Sequence, residues 1–176
     1  MKFMIIQIFG VVAWFIESIS YWANTKKKIL FLQVIADLFF TVHYYLLSAK
    51  TGALVCFVSL IREYIFFITK TQKAENIWCC VMIFIYVILG LTTTGSIIDL
   101  LPICAEIIYC YTLICGTNEI IIGGIIDSIY WLIYGIICNS YVGIMSDIIV
   151  IISNTVALIK SHIIESKIVI KNYSNE

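Results

Sequence analysis

Four acidic side chains lie deep within long apolar segments of this 176-residue chain: Asp37, Glu63, Glu106 and Asp127. An acid at the centre of a membrane-spanning helix costs about 2.5–3.5 kcal/mol on insertion scales, so we expect all four to face a protein interior rather than lipid. Arg62 is the one obligate cation at comparable depth, and it can pair with only one of them. These segments therefore carry an excess of buried negative charge.

Two kinds of chemistry would balance this charge. Burial and nearby like charges favour the protonated form of a carboxyl group, so such acids could bind a proton from one side of a membrane and release it to the other. We predict proton exchange at Asp37, Asp127 and Glu106. The alternative is a cationic or amine-bearing solute that supplies the missing positive charge.

Other polar residues favour a structural interpretation. Asp99 and Asp147 lie near the outer ends of their segments, where we expect them to reach the membrane interface. We expect Arg62 to pair with a carboxylate and His43 to be a hydrogen-bonded residue of a helical bundle rather than a ligand, because buried polar groups often link helices. The seven cysteines lie in apolar runs and are interpreted as small hydrophobic filler, so we predict no metal site.

The composition identifies the setting of these residues. The hydrophobic share is 62% and the charged share 12%, against roughly half and a quarter in soluble domains. The apolar runs and their polar breaks predict an all-α, polytopic membrane protein with seven transmembrane helices, over residues 4–23, 29–48, 53–69, 77–94, 97–115, 120–139 and 143–160. The first run lacks a clean cleavage site, so we interpret it as a span rather than a signal peptide. The short connections make sequential helices antiparallel neighbours.

Polar residues recur at steps of three or four within the predicted helices, which places them on one face of each helix. On the second helix they are Gln33, Asp37, Thr41, Tyr44 and Ser48. On the sixth they are Gly123, Asp127, Tyr130 or Trp131, Tyr134 and Cys138. Shorter sets occur on the third helix, at Cys56, Ser59 and Glu63, and on the seventh, at Asp147, Val150 and Asn154. We expect these faces to line one interior.

The order of the helices predicts an internal repeat. An offset of 91 positions aligns residues 28–63 with 119–154, two apolar runs joined by a short turn in each case. Between them, residues 77–94 carry no charged side chain and are interpreted as a linker helix that faces lipid. The predicted organisation is a three-helix unit at 1–70, a linker helix at 77–95, a parallel three-helix unit at 96–160 and a cytoplasmic tail at 161–176. Parallel repeats with a site between the halves are one known plan for carriers.

The lysines predict the orientation of the chain. Seven spans would leave two lysines on the side of the N-terminus and eight on the opposite side. Short cytoplasmic loops retain Lys and Arg, so we expect the N-terminus outside and the C-terminus in the cytoplasm. Because the net charge is zero and the lysines lie at helix ends, nucleic acid is excluded as a partner.

Two resemblances follow from this pattern. The order of three, one and three helices resembles the SWEET and PQ-loop superfamily. The segments KKKILFLQVIADLFFTVHYYLL, TGALV, IRE and IYWLIYGIICNSYVGIMSD resemble the YgjV-type bacterial inner-membrane proteins over residues 9–160. The chain departs from the superfamily in having no Pro-Gln pair in its first helix, and Ile103 follows Pro102 in its fifth.

The superfamily resemblance implies a solute site with an aromatic residue on the second helix and an amide on the third helix of each unit. The matching residues are Trp131 and Asn154 in the second unit, with Asp147 as an alternative to Asn154, and Phe40 and Glu63 stand at the corresponding positions of the first. Tyr134, which lies on the same predicted face as Asp127, completes the set that we expect to bind solute. A carboxylate in place of an amide favours a charged or proton-linked solute over a plain sugar.

These observations favour a carrier of a small polar solute in the bacterial inner membrane, with proton exchange at the buried acids as one way to drive it. The competing hypothesis is a non-transporting assembly factor or receptor whose intramembrane polar residues are structural. We expect no enzyme, because no hydrolase, metalloprotease or phosphate-loop motif occurs. We also expect no cofactor, and the sequence leaves a homo-oligomer open.

Overall fold

The fold is all-α, as the sequence predicts. In the computed structural model, which describes residues 2–20, 23, 25–93, 95–115 and 117–173, the described chain forms seven α-helices and one short 3-10 helix and contains no strand. The α-helices are α1 (Lys2–Ser20), α2 (Lys26–Leu46), α3 (Lys50–Ile68), α4 (Gln72–Thr93), α5 (Leu100–Thr112), α6 (Thr117–Ile137) and α7 (Tyr141–Tyr173), and the 3-10 helix is Ile97–Asp99.

Within the described residues, four segments are long and apolar enough to cross a membrane by length and composition, and they lie in α2, α3, α4 and α6. The apolar parts of α1 and α7, Met4–Ser20 and Tyr141–Val156, are shorter. A multi-pass arrangement follows from the four long segments, whereas a seven-span topology stays a prediction.

Two helices differ from their predicted bounds. Helix α5 has 13 residues and is about 20 Å long, and residues 97–99 before it form the 3-10 helix. The Asp99 carboxylate caps the start of that turn by accepting hydrogen bonds from the backbone N–H groups of Gly95 and Ser96. Pro102 lies in the first turn of α5, where a proline removes no helical hydrogen bond. Helix α7 continues to Tyr173 instead of ending near residue 160, since no glycine or proline follows Gly143 within it.

The helices pack as a closed ring. Helix α2 packs between α1 and α3, and α6 packs between α5 and α7. Helix α7 contacts α1, and α3 contacts α5, so the two groups of three helices meet along both edges. Helix α4 packs against α3 and α5. The ring leaves an interior bounded by six helices.

Helix α4 buries one narrow face and exposes the rest. Its buried residues recur at steps of three or four: Cys79, Met82, Tyr86 and Gly90. The remaining surface is strongly apolar, with Leu91 81% and Phe84 64% exposed. Large apolar residues exposed in this number are typical of a surface that contacts lipid, which agrees with the predicted position of this helix outside the polar interior.

The turns that join α2 to α3 and α6 to α7 have the same backbone structure. Ser48 and Asn139, which are 91 residues apart, are the non-glycine residues with positive φ among those described, at 63° and 56°. The N–H of the next residue bonds back to Tyr44 in the first turn and to Gly135 in the second, over the same number of residues. Both turns are therefore Schellman motifs, in which a left-handed residue ends the helix and satisfies its last carbonyl groups.

Candidate functional site

A polar cavity lies at the centre of the ring. Six helices supply its lining residues, which come from α1, α2, α3, α5, α6 and α7. About 70 Å³ within it is open to the centres of water molecules, enough for water or one small solute. Its carboxylates are Glu17, Asp37, Glu63, Glu106, Asp127 and Asp147. The polar faces of separate helices thus converge on one site, as their spacing predicts.

Arg62 is the one lysine or arginine among the described lining residues. Its side chain is 3% exposed and donates to Glu63 Oε1 at 3.1 Å from Nε and 2.7 Å from Nη2. A further bond from Nη1 to Glu106 links α3 to α5. The guanidinium also lies 5.1 Å from the ring centroid of Tyr109 and 5.9 Å from that of Tyr86, so stacking adds to the ion pairs. The predicted pairing of Arg62 is confirmed.

Three of the other carboxyl groups, those of Asp37, Asp127 and Asp147, have no such counter-charge. Among the side chains that the structure describes, no lysine or arginine lies within the 4.0 Å ion-pair distance of Asp37, Asp127 or Asp147. Glu17 accepts a hydrogen bond of 2.7 Å from the Ser146 hydroxyl. Three of the six lining acids therefore have no described lysine or arginine partner, and Arg62 is already bonded to two of the others.

The buried side-chain atoms that lack a hydrogen-bond partner among the described lining residues are all oxygens. Among the described lining residues, the buried side-chain atoms without a hydrogen-bond partner are Gln33 Oε1, Glu63 Oε2 and Asp127 Oδ1. All three are acceptors. Buried polar groups are normally paired, so these three oxygens mark a place where donors are missing.

Aromatic rings cover the side of the cavity near the two Schellman turns. Tyr44 lies 5.4 Å from Trp131 and 5.9 Å from Tyr134, and Phe40 lies 6.4 Å from Tyr44, all between ring centroids. The Tyr134 hydroxyl accepts a 3.0 Å hydrogen bond from the Gly52 N–H in the first turn of α3. It thereby supplies the cap that Ala49, the residue before α3, does not provide.

His43 joins three segments at the same end. Its Nδ1 lies 2.9 Å from the Ile6 carbonyl oxygen on α1, and its Nε2 lies 2.8 Å from the Ser140 hydroxyl in the turn between α6 and α7. The residue is fully buried. Both ring nitrogens are engaged, so the prediction that His43 is a hydrogen-bonded residue of the bundle is confirmed.

Most of the predicted site residues meet at the cavity. Those that line it are Asp37, Phe40, Glu63, Glu106, Asp127 and Trp131. Tyr134 and Asn154 are buried, at 2% and 7% exposure, but are not among the lining residues. Tyr134 packs against Trp131, and Asn154 lies beside Gly124, where an added Cβ would come within 2.7 Å of its amide nitrogen. Both side chains therefore pack behind residues that line the cavity.

One expectation is wrong, and some lining residues escaped the sequence argument. Asp147 was expected at the membrane interface but lies in the cavity wall, because α7 begins at Tyr141 and turns this residue toward the interior. Tyr109, Ser128 and Ser146 also line the cavity. Ser128 follows Asp127 and Ser146 precedes Asp147 in the sequence, and this adjacency to an acidic residue could have identified both serines. Tyr109 has no such signal.

The arrangement does not converge on a metal site. No group of three or more His, Cys, Asp and Glu side chains with suitable geometry occurs in the described parts of the chain. The cysteines there are free thiols, and Cys79 and Cys110 contact each other between α4 and α5 with sulfur atoms 3.9 Å apart.

Apolar helices around a buried polar cavity define an integral membrane protein. A family model described as a bacterial inner membrane protein, Imp-YgjV, matches residues 4–163. The chain belongs to this family and is a multi-pass protein of the bacterial inner membrane. Comparison with the curated proteins and with the solved structures finds no match.

Proposed function

We propose that this protein is a carrier that moves a small polar solute across the inner membrane. The observation that carries the proposal is the central cavity, in which polar side chains from six helices meet inside an otherwise apolar molecule. A purely structural interior in lipid needs few acids, since each costs free energy to insert. A path for a polar solute would explain why six acids occur in this interior.

The proposed mechanism is rocking of two parallel units, α1–α3 and α5–α7, about the cavity, with seven spans and the N-terminus outside. The equal Schellman turns at Ser48 and Asn139 support a repeat of the two hairpins. Helix α4 supplies no lining residue, as a linker between such units would. Alternating access by parallel repeats places the site between the halves.

Contacts between the units close one end of the cavity. Tyr134 from the second unit bonds to Gly52 of the first, and His43 from the first bonds to Ser140 of the second. Tyr44 and Trp131 fill the space between these bonds. On the proposed topology this end faces outward, so the structure corresponds to a conformation closed to the outside.

Proton linkage is a further part of the proposal. Asp37 and Asp127 lie on α2 and α6, one in each unit, and have no described counter-ion. They can each exchange a proton or a cationic group when the cavity opens to either side. Glu106 is predicted to share this role. Because it accepts a hydrogen bond from Arg62, its protonation would also weaken the ion pair that links α3 to α5.

The test is solute flux in proteoliposomes that contain the purified protein, with and without an imposed proton gradient. A screen of labelled small polar solutes should find one whose uptake depends on the protein, and Asp37→Asn and Asp127→Asn should abolish it. Glu119→Gln is the matched control, since Glu119 is an exposed acid at the start of the same helix as Asp127. A folded protein that moves no solute in such a screen would leave the carrier proposal without support.

The second candidate is a non-transporting membrane protein, such as an assembly factor or receptor. The contacts of Arg62 favour it, because that side chain is satisfied by Glu63 and Glu106 and ties two helices together as a structural group would. On this alternative, neutralising Asp37 and Asp127 lowers the yield of folded protein, and no solute moves.

A further inference from the structure

We propose that the central cavity binds a small primary amine in its ammonium form, whose N–H groups donate to Gln33, Glu63 and Asp127. This inference names the solute class of the proposed carrier and rests on that function for movement across the membrane. Binding itself is carried by the chemistry of the cavity.

The first argument is the number and sign of the missing partners. Gln33 and Glu63 are 8% and 1% exposed, and each lines the cavity and has one side-chain oxygen without a partner. Asp127 contributes a third. A primary ammonium group carries three N–H donors and no acceptor, so it matches the three oxygens in number and in polarity.

The second argument is that the three helices that carry these oxygens all approach Tyr109. The Gln33 amide nitrogen lies 3.4 Å from the Tyr109 hydroxyl, and the guanidinium bonded to Glu63 lies over the Tyr109 ring. A Cβ added at Gly124, one turn before Asp127, would lie 4.0 Å from the same ring. Helices α2, α3 and α6, each of which carries one of the acceptors, thus meet around one side chain of α5.

The third argument is charge. Arg62 already pairs with Glu63 and Glu106, which leaves the carboxylates of Asp37, Asp127 and Asp147 without a described cation. A bound cation removes part of the cost of holding these groups in a low-dielectric interior. An anionic solute would add to that cost, so the cavity discriminates against it.

The fourth argument separates an organic cation from a metal ion or a lone proton. The rings of Phe40, Tyr44 and Trp131 form part of the lining, and an aromatic face attracts an ammonium group. A hard metal ion instead needs several converging ligands, and the described residues offer no such group. A proton would satisfy one of the three oxygens and leave the other two unpaired.

The volume limits the size of the amine. About 70 Å³ is open to water centres, which suits an ammonium group with a short carbon chain. A quaternary ammonium ion is a poor fit because it has no N–H group to donate. Methylammonium is therefore a suitable probe, with tetramethylammonium and potassium as comparison cations of equal charge.

The experiment is calorimetric titration of the purified full-length protein in detergent at pH 7 with the chloride salts of the three cations at constant ionic strength. We expect saturable binding of methylammonium, with tetramethylammonium and potassium weaker by about tenfold or more, the loss expected for charge-assisted hydrogen bonds. Equal binding of all three cations, or no saturable binding of methylammonium, would overturn the inference.

Two variants locate the site. Gln33→Met removes the unpaired oxygen together with the amide nitrogen that contacts the Tyr109 hydroxyl. Because that contact is long, at 3.4 Å, the fold should persist, and methylammonium binding should weaken by about tenfold. Asp127→Asn should weaken it at least as much, and Glu119→Gln should leave it unchanged. If Asp127→Asn does not fold, Gln33→Met decides, and unchanged binding in that variant counts against the site.

Failure of this inference can be told apart from failure of the carrier proposal. Methylammonium that binds but shows no exchange in proteoliposomes loaded with the unlabelled cation would keep the amine site and refute transport. Protein-dependent flux of a solute that is not an amine, without methylammonium binding, would keep the carrier and refute the amine site.

Discussion

Removal of the Arg62 side chain should be the most damaging single change to the interior. Arg62 is 3% exposed and bonds to Glu63 and Glu106, which are 1% and 5% exposed. Arg62→Met leaves both carboxylates buried without their cation. Breaking a buried ion pair in this way costs about 3–5 kcal/mol, a large part of a typical unfolding free energy of about 5–15 kcal/mol.

The assay is reversible unfolding of the purified protein in mixed micelles, followed by tryptophan fluorescence or circular dichroism. The triple variant Arg62→Met, Glu63→Gln, Glu106→Gln should recover most of the lost free energy, because neutral amides need no counter-charge. Lys26→Gln is the matched control, since the Lys26–Glu75 pair is partly exposed, with 39% and 14% of the side chains accessible, and should cost about 0–1 kcal/mol.

The expected order is therefore a large loss for the single variant, a small loss for the control and an intermediate value for the triple variant. A cost for Arg62→Met no greater than that of Lys26→Gln would refute the view that this ion network holds α3 against α5. A triple variant as unstable as the single one would show that packing of the arginine stem, not charge, is what stabilises the contact.

Three further results are expected. Gly52→Ala should lower the free energy of unfolding by about 1–3 kcal/mol, because the added Cβ would lie 2.7 Å from the Tyr134 ring; Gly135→Ala, whose Cβ meets nothing nearer than 3.5 Å, should be neutral or stabilising in the same unfolding assay. His43→Ala removes the bond to Ser140 that joins the two units, so labelling of the cavity thiol Cys56 by a small membrane-impermeant reagent should become faster from outside, and an unchanged rate would contradict closure at that end. A reporter enzyme fused to the C-terminus should be active on the cytoplasmic side, and external activity would reverse the predicted topology.

Local pattern was sufficient to predict which faces of the helices are polar. Gln33, Asp37, Thr41 and Tyr44 recur at steps of three or four, and all of them except Thr41 line the cavity. The step alone sets their common direction on α2, because a helix turns by a fixed angle per residue. The same reasoning placed Asp127 and Trp131 together on α6, and both are lining residues.

Depth within the membrane was less predictable. Asp147 was expected at the interface from its place near the start of an apolar run. Helix α7 begins at Tyr141, six residues before Asp147, so Asp147 lies about 9 Å from that end along the helix axis. A shift of two residues in a predicted boundary is enough to change such an interpretation. The part of α7 beyond residue 160 was also missed, since apolar runs mark lipid contact and not the continuation of a helix beyond it.

The sequence by itself determined the membrane location, the all-α class and the polar face of each helix, because hydrophobicity and the helical period are local properties. Only the tertiary structure decided which faces meet. Arg62 reaches Glu106 on a helix 44 residues away, and Tyr134 caps α3 across the boundary between the two groups of helices. These contacts depend on how the helices rotate and pack around one ring, which no single segment encodes. The three unpaired oxygens became visible only once that packing had assigned every other partner.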